Sequence, residues 1–431
     1  MHEHDIKSFF ADEENLLRDD YLFFTYSVET CVEPRVALAG LCSEMSTAQW
    51  SRPGKDEDFR PKFAAKVVHF EVLEISKTPH FVSAFHHAEA YTRLIVRIAY
   101  PHRNFGARIP NLLTVACGEG AFYSHGVSAI KLLDIDFPDE YLSAFSGPKF
   151  GLDGIRGLLE VYDRPIFCGV VKPNVGLKPE DFVSLAYEAW CGGLDIAKDD
   201  EMLADTEYSP LDLRTKLAGE ACKKAEDETG TKKIFLANIT DEVSELKRLH
   251  DIAVKNGAGA VMVNGFTTGL SAVRSLSAYA QVPVVSHFDF MACFSRIPFF
   301  GVSSYVMTKL QRLCGFDLII MPGFGSRMLS EEDEVLDNVE TCLNTFGNLK
   351  RSLPAPGGSD SAVTLPTLFQ KLGHADFAMV PGRGVFGHPA GPRAGALSLH
   401  QAWDAVQAKE PLHLYAKEHK ELALSISTFS S

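Results

Sequence analysis

The chain lacks a positive charge balance: 42 Lys and Arg stand against 56 Asp and Glu, a net charge of −14. Nucleic acid and anionic membrane both call for a basic face, so neither is expected as a partner. A small anionic substrate stays open, because a local basic pocket fits inside an acidic protein. The nine cysteines include no CxxC pair, and an odd, unpatterned set points to reduced thiols and a cytoplasmic location. No apolar run reaches the roughly 18 residues of a membrane span. The opening MHEHDIKSFFADEEN lacks the basic-then-apolar order of a signal peptide. His2 and His4 read as a frayed terminus rather than a metal site. Low-complexity tracts are missing, and so is a GxGxxG turn after an early strand, which argues against an open dinucleotide-binding sheet.

What is present is a chain of 431 residues, 46% apolar, long enough for a sizeable core and more than one domain. After about residue 150, short apolar strands alternate with helical stretches. The strands expected are Ile166–Lys172, Leu194–Lys198, Ile234–Asn238, Ala260–Asn264, Val282–His287, Leu318–Met321, Arg351–Ala355 and Phe377–Val380. Between them, Asp241–Lys255 carries apolar residues at helical spacing and stops at Asn256-Gly257. Ser209-Pro210 reads as an N-cap followed by proline at the first helical position. Ser330 precedes an acidic first turn, and a helix through Leu310–Leu313 ends at Gly315. Eight strands alternating with helices predict an α/β fold closed as a (β/α)8 TIM barrel over residues 146–431. Residues 1–145 differ: Tyr21–Ser27 and Ala65–Val72 read as strands, Val36–Cys42 and His87–Tyr91 as helices. They predict a smaller N-terminal α+β domain, divided from the barrel near Ser146-Gly147-Pro148.

Barrel enzymes carry their chemistry at the C-terminal strand ends. In the second strand, residues two apart share a face, so Ile196, Lys198 and Asp200 point the same way, with Glu201 on the turn beside them. A lysine carbamate with two carboxylates makes a hard oxygen site suited to Mg2+. The same KDDE run also reads as a solvated charge cluster at a loop start. Lys172 ends the neighbouring strand, where a lysine near a metal serves in proton transfer or simply meets solvent. His287 ends the fifth strand, as a catalytic or a hydrogen-bonded structural imidazole. Gly357-Gly358 and Gly382-Arg383-Gly384 follow the seventh and eighth strands, where close backbone approach suits a phosphate. Glycines also simply end strands.

Together these pieces resemble the RuBisCO large-chain family, over nearly the whole chain from Glu44–Trp50 to Gly387-His388-Pro389. The most specific parts are GVVKPN, GGLDIAKDDE and GRGVFGHP, in order and at compatible spacing. The resemblance implies a ferredoxin-like N-terminal domain. It also implies one Mg2+ per subunit on a Lys198 carbamate formed from CO2, Asp200 and Glu201. Lys172 would act at the enolate, with His287 in the same pocket. Glu44 and Trp50 match residues that a second subunit supplies, which implies a homodimer with shared active sites.

The departures from that family pattern fall on the carboxylation machinery. Asn174 stands where carboxylases have a second catalytic lysine, and Phe288 where they have a phosphate-gripping arginine. Ile320 replaces an active-site histidine, Pro356 a phosphate-side serine, Arg383 a backbone-donor glycine and Glu119 a small-domain asparagine. Arg327 aligns with the loop lysine that contacts CO2, and arginine is not interchangeable with it. This pattern resembles form IV, the RuBisCO-like proteins, in its photosynthetic-bacterium branch. Members lack bisphosphate carboxylase activity, and some relatives enolise or isomerise methylthio-sugar phosphates. The branch is associated with sulfur metabolism and oxidative-stress responses. The expectation is Mg2+-dependent enolisation or isomerisation of a small phosphorylated substrate. The alternative is a non-catalytic metal- or ligand-binding regulatory protein.

Overall fold

The computed structural model describes residues 6–49, 54–82, 88–120, 124–325 and 327–430. Trp50 lies outside these residues, as does the start of the helix expected at His87–Tyr91. The chain divides into two compact units. One comprises residues 1–145, 290–310 and 346–349; the other comprises 146–289, 311–345 and 350–431. Residues 290–310 and 346–349 thus group with the N-terminal residues, although the sequence reading put them in the barrel.

The first unit is built on a mixed sheet. Its strands are β1 (Tyr21–Thr30), β2 (Lys66–Ser76), β3 (Tyr91–Pro101) and β4 (Val127–Asp136), with helix α1 (Pro34–Glu44) after β1 and α2 (Ile109–Ala116) after β3. β1 runs antiparallel to both β3 and β4, and β2 antiparallel to β3. The strand order β4-β1-β3-β2 with this helix placement is ferredoxin-like. Short β10 (Gly301–Val302) adds to β4 in parallel. Tyr91 opens β3, which corrects the helix expected there. Its local composition permits a helix, but pairing of Tyr91 with Ser76 on β2 overrides that weak preference.

The second unit holds the eight strands of the barrel: β5 (Ile166–Val170), β6 (Ile196–Lys198), β7 (Ile234–Asn238), β8 (Ala260–Val263), β9 (Val284–Ser286), β11 (Leu318–Pro322), β12 (Leu353–Gly357) and β13 (Ala378–Met379). They form one parallel sheet in the order β12-β11-β9-β8-β7-β6-β5-β13. No ladder joins β12 to β13 among the described residues. That seam is bridged by a side chain, the Val380 N–H donating to Asp360 Oδ2 at 2.9 Å.

Both faces of this sheet are buried, which is why its strands read as continuous apolar runs. Alternate residues form the interior: Ile166 and Cys168, Ile196, Ile234 and Leu236, Ala260 and Met262, Val285, Leu318 and Ile320, Leu353 and Ala355, and Ala378. Helix α3 (Gly151–Leu159) adds Leu152, Ile155 and Leu159 to that cluster. Each buried Leu or Ile contributes roughly 1.5–3 kcal/mol relative to exposure. Ile320 belongs to this cluster and also reaches the cavity at the end of the barrel.

The surrounding helices refine three expectations. Helix α4 (Leu211–Thr229) follows Pro210 as its cap residue, one place later than expected, and Asp205 Oδ1 accepts the Leu211 N–H at 2.8 Å in place of a serine cap. Helix α5 (Leu246–Lys255) starts later than Asp241, because residues 241–245 form a turn in which Glu245 N–H donates to Glu242 O. Helix α6 (Glu332–Leu343) takes Glu331, not Ser330, as its cap residue, with acids Glu332, Asp333 and Glu334 in the first turn.

Candidate active site

The interior register continues past the apolar core into functional side chains. Two residues beyond Ile196 comes Lys198, then Asp200; two beyond Val285 comes His287, then Asp289. Cys168 leads to Val170 and Lys172, Ala355 to Gly357, and Ala378 to Val380 and Gly382. Period-two alternation therefore carries these groups from the barrel core toward its C-terminal end. A cavity of about 620 Å³ opens there, lined among others by Lys172, Glu201, His287, Asp289, Asp360 and Arg383. A larger cavity of about 750 Å³ lies beside Ser146–Lys149, but no carboxylate or imidazole lines it among the described residues. The chemistry belongs to the smaller one.

Lys172 Nζ donates to Asp200 Oδ2 at 2.6 Å and to Asn174 Oδ1 at 2.8 Å. Fully buried Lys198 donates to Glu201 Oε2 at 3.1 Å and to Asp199 O at 2.9 Å. Glu201 Oε2 also lies 3.3 Å from His287 Nε2. Burial pushes the Glu201 carboxyl up, but Lys198 and His287 outweigh it and hold it at about 2. Asp289 Oδ2 sits 3.2 Å from His287 Nδ1 but out of hydrogen-bond alignment, so this buried nitrogen has no aligned partner. Phe288 stacks on the imidazole at 4.7 Å between ring centres.

The turn carrying these acids is held from below. Asp199 and Arg214, both wholly buried, form a two-pronged pair at 3.0 and 3.1 Å, and Asp199 Oδ2 also accepts the Asn238 N–H. Burial pushes the Asp199 carboxyl up, opposed by the Arg214 guanidinium. Asn238 Nδ2 donates to the carbonyls of Glu201 and Leu203 at 3.0 and 3.2 Å. One pair and one amide thus fix the backbone that aims Asp200 and Glu201.

At the other end of the cavity, Gly357 closes β12 and Gly358 follows it, and Gly382 and Arg383 follow β13. A Cβ on Gly382 would lie 3.0 Å from Lys172 Cε, so the backbone here packs closely against that lysine. Arg327 and Arg383 also line the cavity, and the Arg383 guanidinium lies over the Phe429 ring at 5.7 Å. Pro356 sits within β12 itself. Glu44, the last residue of α1, and Glu119, in an exposed turn, belong to the first unit.

The structure joins the expected residues in two sets, Lys172 with Asp200 and Lys198 with Glu201 and His287, of which Lys172, Glu201 and His287 line the cavity. It also supplies residues the sequence reading passed over: Asp289, Asp360, Asn238, Arg214, Thr428 and Phe429. Asp289 had a signal, since it continues the alternation of His287. Among His, Cys, Asp and Glu side chains, Glu201, His287 and Asp289 have ligand atoms within 4.8 Å of one another. Glu201 is shared between this group and the expected set of Lys198, Asp200 and Glu201. No helix of the described residues is long and apolar enough to cross a membrane.

Residues 151–429 match the family model of the ribulose bisphosphate carboxylase large chain, catalytic domain, and residues 10–141 that of its N-terminal domain. A ribulose bisphosphate carboxylase-like protein of Allochromatium vinosum is 55% identical over 426 residues, covering 99% of this chain and 93% of that one. A RuBisCO-like protein structure from Burkholderia fungorum superposes with a TM-score of 0.87 at 28% identity, over 95% of this chain and 100% of that one. The dimeric archaeal RuBisCO from Hyperthermus butylicus does so with a TM-score of 0.85 at 28% identity, over 98% and 99%. With both domains matched and the barrel network in place, the chain belongs to the RuBisCO large-chain family, among its RuBisCO-like proteins.

Proposed function

We propose that this protein enolises or isomerises a small substrate with one phosphate or similar anionic group, and does not fix CO2. The carrying observation is the pair of ion-paired sets, Lys172–Asp200 and Lys198–Glu201–His287, that bring Lys172, Glu201 and His287 to one end of the barrel cavity. The groups that distinguish carboxylases are replaced around it.

The residues fit a divalent cation under one condition. With Lys198 as an ammonium, the two lysines offset Asp200 and Glu201, and only Asp289 is left to attract a dication. Carbamylation would turn one of those positive charges negative. Lys198, Asp200 and Glu201 would then offer the hard oxygen donors that suit Mg2+. The unpartnered His287 nitrogen and the adjacent Asp289 show further donor capacity on the same side. When bound, such a cation polarises a substrate carbonyl.

The chain's own groups supply the rest. His287 faces the cavity between two carboxylates and takes the proton beside the carbonyl. Lys172, shared between Asp200 and Asn174, donates to the oxygen as negative charge develops. Arg327, Arg383 and the glycine turns receive the anionic group. Phe288, an aromatic where carboxylases have a cation, leaves an apolar wall suited to a thioether. Such a substrate would tie the reaction to sulfur metabolism and oxidative-stress responses, as the family resemblance implies. The dimeric structural relative supports a homodimer in which Glu44 and Trp50 complete a partner's site.

The test is hydrogen–deuterium exchange at substrate carbon, followed by NMR. Sugar phosphates and methylthio-sugar phosphates are compared with Mg2+ and bicarbonate present. Exchange with at least one compound, lost in Lys198→Ala, is expected; exchange that survives in Lys198→Ala defeats the reading. Labelled CO2 should not be incorporated into ribulose bisphosphate. A ligand that stabilises the protein by about 2.7 kcal/mol at a hundred times its dissociation constant, with no ligand exchanging, would favour the non-catalytic binding protein instead.

A further inference from the structure

The geometry points to Asp360 as a proton-dependent gate on the anion end of the cavity: neutral, it donates a hydrogen bond to the substrate's anionic group; ionised, it excludes that group. This rests on the reading above only in taking the cavity as the substrate site.

Asp360 follows the Gly357–Gly358 turn, lines the cavity and is 7% exposed. Its Oδ2 accepts the Val380 N–H at 2.9 Å, and the Gly358 N–H also favours its charged form. A phosphate in this cradle would seek such backbone donors at the glycine turn, and the carboxylate already holds them. No ion pair to Asp360 occurs among the described residues, and its hydrogen-bond partners are backbone amides. Burial pushes the carboxyl up to about 6 against those amides. Its main chain is fixed as well: a Cβ on Gly384 would meet Asp360 O at 2.4 Å and Ser361 Cα at 2.8 Å.

The charged groups sharing the cavity are Lys172 from the end of β5, Glu201 after β6, His287 and Asp289 after β9, Arg327 after β11 and Arg383 after β13. Arg327 and Arg383 are cations that attract an anion. An ionised carboxylate in the same cavity offsets part of that attraction. A neutral carboxyl reverses its effect, because its O–H becomes a donor. The ligand class is a dianion, phosphate or sulfate, that enters with a proton taken up by the protein. A ligand end bearing only hydroxyls needs no such proton.

Sulfate is the probe, because its own charge is constant across the range. Sulfate binding to the full-length protein is measured by calorimetry in two buffers of different ionisation heat. Wild type should take up protons on binding near pH 7, and its affinity should fall as pH rises from 5 to 8. Asp360→Asn should bind sulfate about ten-fold tighter at pH 8, with less proton uptake than wild type. Arg383→Gln should abolish that gain, placing it in this cavity rather than on another basic patch. Asp360→Ser repeats the comparison should the asparagine variant fail to fold. Wild-type affinity and proton uptake unchanged in both variants would overturn the proposal, and so would wild-type binding without proton uptake. Because no turnover is measured, either result stands apart from the outcome of the exchange experiment.

Discussion

The two ends of the barrel cavity are made of different materials. Around β5, β6 and β9, opposed side-chain charges do the work: two lysines, three carboxylates and an imidazole within a few ångströms. Around β12 and β13, glycine turns and backbone N–H groups dominate, with one buried acid among them. The first end tolerates charge because every charge has a partner. The second has donors to spare and uses Asp360 to occupy some of them. Chemistry that moves protons suits the first, and recognition of an outside anion suits the second.

Breaking the support of the charged end should have the largest effect. Arg214→Ala strands the buried Asp199 carboxylate and should cost ~3–5 kcal/mol in denaturant unfolding. A loss below about 1 kcal/mol would mean the pair is no foundation for the turn above it.

Acid should weaken the same end only well below the pH at which it protonates Asp360 at the other. In the metal-free protein, Glu201 sits at about 2 against an ordinary 4.5. A depressed carboxyl stabilises the fold above its unfolded pKa, and that contribution disappears as pH falls through the folded value. The stability difference between wild type and Glu201→Gln should therefore shrink between about pH 5 and 2, by ~2–3 kcal/mol in all. A difference flat across that window would show that Glu201 gains nothing from Lys198 and His287.

The backbone-built end should respond to shape rather than charge. Gly384→Ala forces a methyl against the Asp360 carbonyl and should cost ~1–3 kcal/mol, with sulfate affinity altered and the Lys172–Asp200 network intact. Thermal unfolding and sulfate titration read both. The smallest effect is expected at Phe288→Leu, which loses the ring stack on His287, worth ~0.5–1.5 kcal/mol. A tenfold or greater loss of deuterium exchange with little loss of stability would promote Phe288 from wall to orienting group for His287.

The charged end was legible in the sequence because it obeys the strand's own period. Ile196, Lys198 and Asp200 announce a shared face, and so do Val285, His287 and Asp289, although the last was passed over. The eight strand positions were legible for a related reason: a sheet buried on both faces writes apolar runs into the chain. Asp360 was not legible. It lies beyond a glycine turn, where alternation stops, and its hydrogen-bond partner is an amide twenty residues later, just past β13. Tyr91 failed in the same way, since a partner strand and not its neighbours decides its conformation. Arg214 and Asn238 act through groups far along the chain, and nothing local marks an arginine or an asparagine for that duty.

One consequence follows from the seam between β12 and β13. Seven neighbouring pairs of staves are nailed by strand ladders; the eighth joint hangs on a carboxyl. Whatever changes the charge of that carboxyl changes the strength of the hydrogen bond across this joint. A molecule arriving in the cavity meets the same carboxyl that spans this joint.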